Sequence, residues 1–204
     1  MNAYGPQDWP IVANKVVFDH ATVDGWYYIV SIDLKLSPDN LDNASKANIY
    51  GLTDGAPFGD PGSEFPAVYL LPESLDLEVR TYLDGARTCI ELPDKIEADV
   101  WFNLKVEQNC FIILIMGFPY EYCYITVLLN EETQFFWFNS TPETWNNVEG
   151  IIGNTYDQEN IIAATGRYRH FDLHHSDDGK DLSFAVSDPP THEDAVNVES
   201  TADK

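Results

Sequence analysis

The sequence predicts an all-β chain folded as an antiparallel β-sandwich, and three observations carry that reading. From Lys15 onward, short strand-like runs alternate with turn signals at close intervals. Aromatic residues make up 13% of the chain, and such side chains suit pleated, half-buried surfaces. No helical period is sustained over more than two turns. With 204 residues, 44% of them hydrophobic, there is material for one sizeable core. The organisation expected is an arm over 1–14, one sandwich domain over 15–175 and a flexible acidic tail over 176–204.

Taken in order, strands are predicted over 15–18, 27–36, 47–53, 67–71, 75–83, 87–92, 100–107, 111–116, 122–129, 134–139, 148–153 and 166–174. Asp84-Gly85 is hairpin chemistry between two of them, and residues 54–62 form a longer loop rich in turn formers. The most apolar window, 110–129, is about the length that could span a bilayer. Gly117, Pro119 and Glu121 interrupt its middle, so a buried hairpin turning within Gly117-Phe118-Pro119-Tyr120-Glu121 is the better reading, and no membrane span is expected. Phe111-Ile112-Ile113-Leu114-Ile115 is more apolar than a one-sided surface strand requires. Either a second chain covers it or it lies in the middle of the sandwich. Phe135-Phe136-Trp137-Phe138 is expected to bury at least every second ring.

Three cysteines, Cys89, Cys110 and Cys123, leave one thiol without a partner in the chain. A turn near Phe118 sets Cys123 several rungs from Cys110, which argues against a cross-strand bridge between those two. Cys89 paired with either, an intermolecular bridge, and three buried thiols all stay open.

Thirty-four acidic against 11 basic residues give a formal charge of −23. Such a field repels phosphate backbones, so nucleic acid is not an expected partner, while cations and basic partners are drawn in. Beyond Ser176 the chain is acidic and poor in large apolar groups, too poor to offset its own ordering entropy. Leu182, Phe184 and Val186 alternate with polar neighbours there, and could dock as one edge strand on this chain or on another.

Five phrases follow one another at suggestive spacings: Phe65-Pro66-Ala67-Val68, Leu77-Glu78-Val79-Arg80, Trp101-Phe102-Asn103-Leu104-Lys105-Val106-Glu107-Gln108, Trp145-Asn146-Asn147-Val148 and Gly166-Arg167-Tyr168-Arg169-His170-Phe171. Their order resembles that of laminin-G-like, concanavalin-type lectin sandwiches. The resemblance implies a jelly-roll of two curved sheets with ligands at the loop rim or on a concave face, and no particular activity. Read as a regular strand, the last phrase puts Tyr168 and His170 on one face and Arg167, Arg169 and Phe171 on the other.

Calcium is the first site expected, because hard cations take several oxygen ligands from acidic loops. Asp60 and Asp157 lie on loops that the resemblance singles out, and Asp54 is a third ligand candidate. A glycan site would draw on Trp145, Asn154 and Tyr156, with Trp137 as a further ring to test. His170, His174 and His175 are close in sequence, but the adjacent pair points to opposite sides of any strand and the third lies four residues away, so surface histidines at a domain end are expected ahead of a zinc site. The alternating acids of concanavalin-type glycosidases are absent, as are nucleophile, zincin and phosphate-loop motifs, so no enzyme is expected. Sequons at Asn43 and Asn139 fit a secretory route.

The function expected is an extracellular, secreted recognition or adhesion module binding a glycan or protein, assisted by calcium. The alternative is a structural subunit that self-assembles into an oligomer or filament through its N-terminal arm, anchored by Trp9 and Ile11, or through the tail strand of Leu182, Phe184 and Val186.

Overall fold

Residues Tyr27–Leu36 alternate between half-buried and buried side chains along their whole length, as a period of two requires of a strand with one wet face. The same logic repeats through a computed structural model of the chain, which describes residues 8–23, 25–58, 60–93, 95–155, 160–177 and 180–185. Its strands are β1 (Trp9–Pro10), β2 (Lys15–Val23), β3 (Tyr27–Leu36), β4 (Ala47–Thr53), β5 (Ala67–Leu70), β6 (Leu77–Leu83), β7 (Ala86–Leu92), β8 (Trp101–Ile115), β9 (Phe118–Leu129), β10 (Glu132–Phe138), β11 (Trp145–Ile152), β12 (Ile162–Ala163), β13 (Gly166–Asp177) and β14 (Lys180–Ala185). One short 3-10 turn, Pro38–Asp42, interrupts them.

Two sheets form the layers. The first runs β1-β13-β3-β8-β9-β10, with β14 also on β13; the second runs β2-β11-β4-β5-β6-β7, with β12 on β4. All pairs are antiparallel except β12 with β4. Ile32, Leu34, Leu104, Val106, Ile125 and Val127 of the first sheet join Tyr50, Leu52, Val68, Leu77 and Val79 of the second in one core. Removing this much apolar surface from water is the main drive to fold.

Strands β4, β5 and β6 are buried on both faces. On the side away from the core, the loop carrying Phe58 and Glu64 lies over Tyr69, Glu78 and Arg80. Arg80 donates to Glu64 (3.0 Å) and to Glu78, while Tyr69 and Arg87 also donate to Glu64. The Arg80 guanidinium sits 4.1 Å from the centre of the Tyr69 ring, and that of Arg87 lies 4.8 Å from Phe58. Lys46 completes the cluster at Glu78, 2.8 Å away.

Three hairpins turn on two residues of positive φ: Asp84-Gly85, as the sequence predicts, Asn130-Glu131, and Met116-Gly117. The last corrects the expected turn. Because the chain reverses at Met116-Gly117 and not at Phe118, Cys110 falls directly opposite Cys123, and the two form a disulfide. The argument against that bridge rested on a register at least three residues off. Cys89 is exposed on β7 and unpaired.

The expectation that this hairpin is buried is also overturned. Strand β8 runs unbroken from Trp101 to Ile115, and its last rungs with β9 extend past the ends of β3 and β10. Phe111, Ile112, Leu114, Met116 and Phe118 are all exposed there.

Strand β13 departs from regular alternation at His170, whose φ of 50° marks a bulge and whose neighbourhood shifts the register against β3. The extra residue returns Phe171 to the buried face beside Tyr168, and leaves both Arg169 and His170 on Asp33. That exchanges His170 and Phe171 in the face assignment read from the sequence, while Arg167 and Arg169 stay opposite Tyr168.

Two of the expected assembly anchors, Trp9 and Ile11, are packed within the chain. Trp9 pairs with Tyr168, their rings 5.7 Å apart, and Ile11 joins the core. Leu182 and Phe184 belong to β14, which pairs with His175 and Leu173 of this same chain. Val186, like the rest of 186–204, lies outside the described residues.

Candidate functional site

Strand parity sends Asp33, Asn103, Lys105, Glu107, Asn109, Tyr124, Phe136 and Phe138 to the face of the first sheet that points away from the core. Two chemistries meet on that face. At one end Asp33 organises a polar cluster. It accepts from Asn103 Nδ2 (3.0 Å) and Arg169 Nε (3.1 Å), and its other contact is His170 Nδ1 at 2.9 Å. Asn103 Nδ2 also lies 3.1 Å from Ser31 Oγ. Arg169 stacks over Trp101, 4.3 Å from the ring centre, and Lys105 pairs with Glu131 at 2.8 Å. Partial burial pushes the Asp33 carboxyl up, but the hydrogen bonds from Asn103, His170 and Arg169 outweigh it and hold the group below the usual carboxylate range.

At the other end five rings share the face. Phe111 lies 6.0 Å from both Tyr122 and Tyr124; Tyr122 is 6.5 Å from Phe138; Tyr124 is 5.2 Å from Phe136; and Phe136 is 5.4 Å from Phe138. Phe136 and Phe138 are 49% and 56% exposed, which corrects the expectation that this run is mostly core. Trp137, between them, projects from the opposite face, paired with Ile125. Glu107 and Asn109 on β8 flank the rings, opposite Thr126 and Tyr124. A cleft of about 220 Å³ opens alongside, between Glu121, Tyr122, Phe138 and Ser140.

Among the described residues named from sequence, Trp145 and Asn154 are buried, while Asp54 and Asp60 share one loop. Trp145 is 9% exposed and its ring stacks on Phe65 at 4.3 Å, so its face is taken by the core and is not offered to a sugar. Asn154 is buried, with its backbone N–H on Asn48 Oδ1 at 2.7 Å. Asp54 accepts from the backbone of Ala56 (3.0 Å), and Asp60 sits exposed in the same loop, its carbonyl capping Ser63. Tyr156 and Asp157 lie outside the described residues. Among the described residues, no three His, Cys, Asp or Glu side chains gather as a metal site.

Of the two sequons, Asn43 is half-exposed at the end of the 3-10 turn, whereas Asn139 is 2% exposed. The Asn139 amide nitrogen donates to Gln108 Oε1 (2.9 Å) and its oxygen accepts from the backbone of Asp84 (3.0 Å). Glycosylation needs that nitrogen in solvent. After secretory expression, peptide mass spectrometry should therefore find glycan on Asn43 and a bare Asn139; a modified Asn139 in folded protein would contradict this.

No protein-family model and no curated protein sequence matches this chain. Solved structures do. The mouse laminin α1 chain, domains LG4-5, superposes with a TM-score of 0.51 at 10% identity, over 92% of this chain and 48% of that one. The fold is a laminin-G-like sandwich. Further neighbours are an endo-β-1,4-glucuronan lyase from the fungus Trichoderma reesei (TM-score 0.47, 11% identity, 85% of this chain and 82% of that one) and the carbohydrate-binding module CBM66 from Bacillus subtilis (0.44, 10%, 81% and 94%). In this laminin-G-like sandwich the phrase opening on Trp101 falls on β8 and the phrase opening on Gly166 on β13. Among the described residues no helix is long and apolar enough to cross a membrane, a statement that does not reach β-barrels.

The aromatic face was missed from sequence because four rings in a row on β10 read as core. The signal that finds it is the register: strand parity on β8, β9 and β10 sets these rings on the face of the first sheet that points away from the core.

Proposed function

We propose that this chain is an extracellular, non-enzymatic recognition module of the laminin-G-like kind, binding a glycan across the outward face of its first sheet. The observation that carries the reading is the contiguous set of five rings, Phe111, Tyr122, Tyr124, Phe136 and Phe138, left half-open to solvent beside polar groups. Monomeric proteins rarely leave contiguous apolar patches of this kind without a use for them. Ring faces take the C–H faces of pyranoses, while Glu107, Asn109 and Lys105 supply donors and acceptors for hydroxyls. Nucleic-acid bases also stack on such rings. A charge of −23 opposes their phosphates, and so favours the sugar. The Cys110–Cys123 disulfide supports an oxidising, extracellular compartment. Calcium assistance is the finer part of the reading; Asp54, Asp60 and Asp157 are the residues to vary for it, and a rise in melting temperature on adding calcium tests it.

The main test is a glycan array followed by calorimetric titration of the best hit. Phe138→Ala should weaken binding about tenfold or more, as loss of a stacking ring costs about 1–3 kcal/mol in other stacked complexes. Trp137→Ala, on the opposite face, should leave binding unchanged. An array without hits, or equal losses from both variants, would remove the reading.

A further inference from the structure

Beyond glycan recognition, the end of the β8–β9 hairpin carries a second surface. From Phe111 to Tyr120 the ribbon contains no charged residue. Apolar side chains leave it on both faces and at its tip: Leu114 is 73%, Met116 95% and Phe118 68% exposed. Its edges differ in a way that selects the occupant. In a hairpin closed by two residues, Ile115 and Phe118 form the hydrogen-bonded pair, so the backbone groups of Ile112 and Leu114 on β8, and of Pro119 and Glu121 on β9, point outward. The observed bonds agree, since outward-facing Cys110 donates to Trp26 O and Cys123 O accepts from Asn139. Pro119 has no N–H to offer, which blunts the β9 edge. On the β8 side β3 begins only opposite Asn109, and among the described residues no strand pairs with the outward groups of Ile112 and Leu114.

We propose that two copies of this chain dimerise by antiparallel pairing of their β8 edges, residues 111–115, about a two-fold axis through Ile113. Ile112 of each copy then faces Leu114 of the other, and both residues exchange their backbone bonds across the axis. A strand that pairs with itself antiparallel satisfies the self-complementarity a two-fold interface demands. The hairpin's exposed side chains total roughly 700 Å² per chain, and pairing edge to edge covers on the order of half of that, chiefly along Ile112 and Leu114. That is below the ~800 Å² per partner of a standard complex, so the dimer is a weak, concentration-dependent one. A bilayer suits the edges less well, because hydrocarbon leaves unpaired backbone groups unsatisfied. The acidic residues 186–204 of the chain itself do not match an uncharged ribbon. In the dimer the two first sheets become one, and two ring platforms share a face, which would raise avidity for a repeating glycan.

Light scattering coupled to size exclusion on the full chain, without glycan, tests this. The expected result is a mass twice 23.1 kDa, with the dimer fraction rising with salt as the repulsion between acidic copies is screened. Leu114→Lys and Ile112→Lys, at positions exposed in the single chain, should each give a monomer with at least a tenfold weaker association, melting as wild-type protein does when too dilute to dimerise. A wild-type monomer at every concentration, or dimers that persist in both variants, overturns the proposal. Wild-type protein that stays monomeric and co-sediments with phosphatidylcholine vesicles overturns it in favour of a lipid surface.

Discussion

Arg80→Met should lower the stability of this protein by about 3–5 kcal/mol, the cost of breaking a buried ion pair from one side. For a domain of this size that is roughly a 10 °C fall in melting temperature. Glu64 is 1% exposed, and its carboxylate is held by Arg80, Arg87 and Tyr69. Removing Arg80 leaves Glu64 dependent on half-exposed Arg87, strips Glu78 of its closer partner, and empties the space over the Tyr69 ring. Arg87→Ala should cost far less, since much of that side chain is already solvated. Pairing Arg80→Met with Glu64→Gln should recover part of the loss, because the stranded charge is then gone.

The same cluster gives a pH signature. Burial raises the Glu78 carboxyl, but hydrogen bonds and charge from Lys46 and Arg80 outweigh it and set the group below its ordinary value. The unfolded chain therefore binds more protons than the folded one through the acid range. The stabilisation is complete above about pH 4–5, and is lost as pH falls through the lowered value. Arg80→Met should flatten this acid limb. Urea melts from pH 7 down to 3 would show it, and a loss under about 1 kcal/mol with an unchanged acid limb would mean the cluster is merely a solvated surface feature.

How legible these features were depends on how local their causes are. The alternation of β3 and the Asp84-Gly85 turn follow from neighbouring residues alone, and both appear as read. The β8–β9 turn does not, because Met116 at φ 54° carries no turn preference while Phe118-Pro119 beside it does. Register is what was lost, and with it the disulfide. The ion cluster was invisible for a different reason. Lys46, Glu64 and the Glu78–Arg80 pair of β6 come from three separate segments, and nothing in a run such as Leu77-Glu78-Val79-Arg80 says that its polar residues will be covered by a loop. The ring platform lies between these cases: residues such as Phe136 and Phe138 were noticed, but their exposure depends on the register that sets them on the outward face.

Phe171→Ala should be the other severe variant, at about 3–5 kcal/mol, because it removes a fully buried ring at the contact between the layers. Phe171 rises from β13 of the first sheet to meet Tyr50 at 5.5 Å, edge to face, and Phe18 at 6.1 Å, both from the second. Gly150 leaves the room that Phe18 occupies; a methyl group there would overlap the ring. The side chain is therefore packed on several sides by elements that cannot follow it if it is cut back, and the cavity stays open. Phe171→Leu, which keeps much of the volume, should cost clearly less. The bulge at His170 links this core position to the polar cluster, since the extra residue that turns Phe171 inward also puts Arg169 and His170 on Asp33. Loosening Phe171 should thus disturb the outward face as well, and an NMR shift map of Phe171→Ala should show changes at Asp33, Trp101 and Asn103 together with the core. Changes confined to the core would mean that the bulge holds its geometry without the ring beneath it.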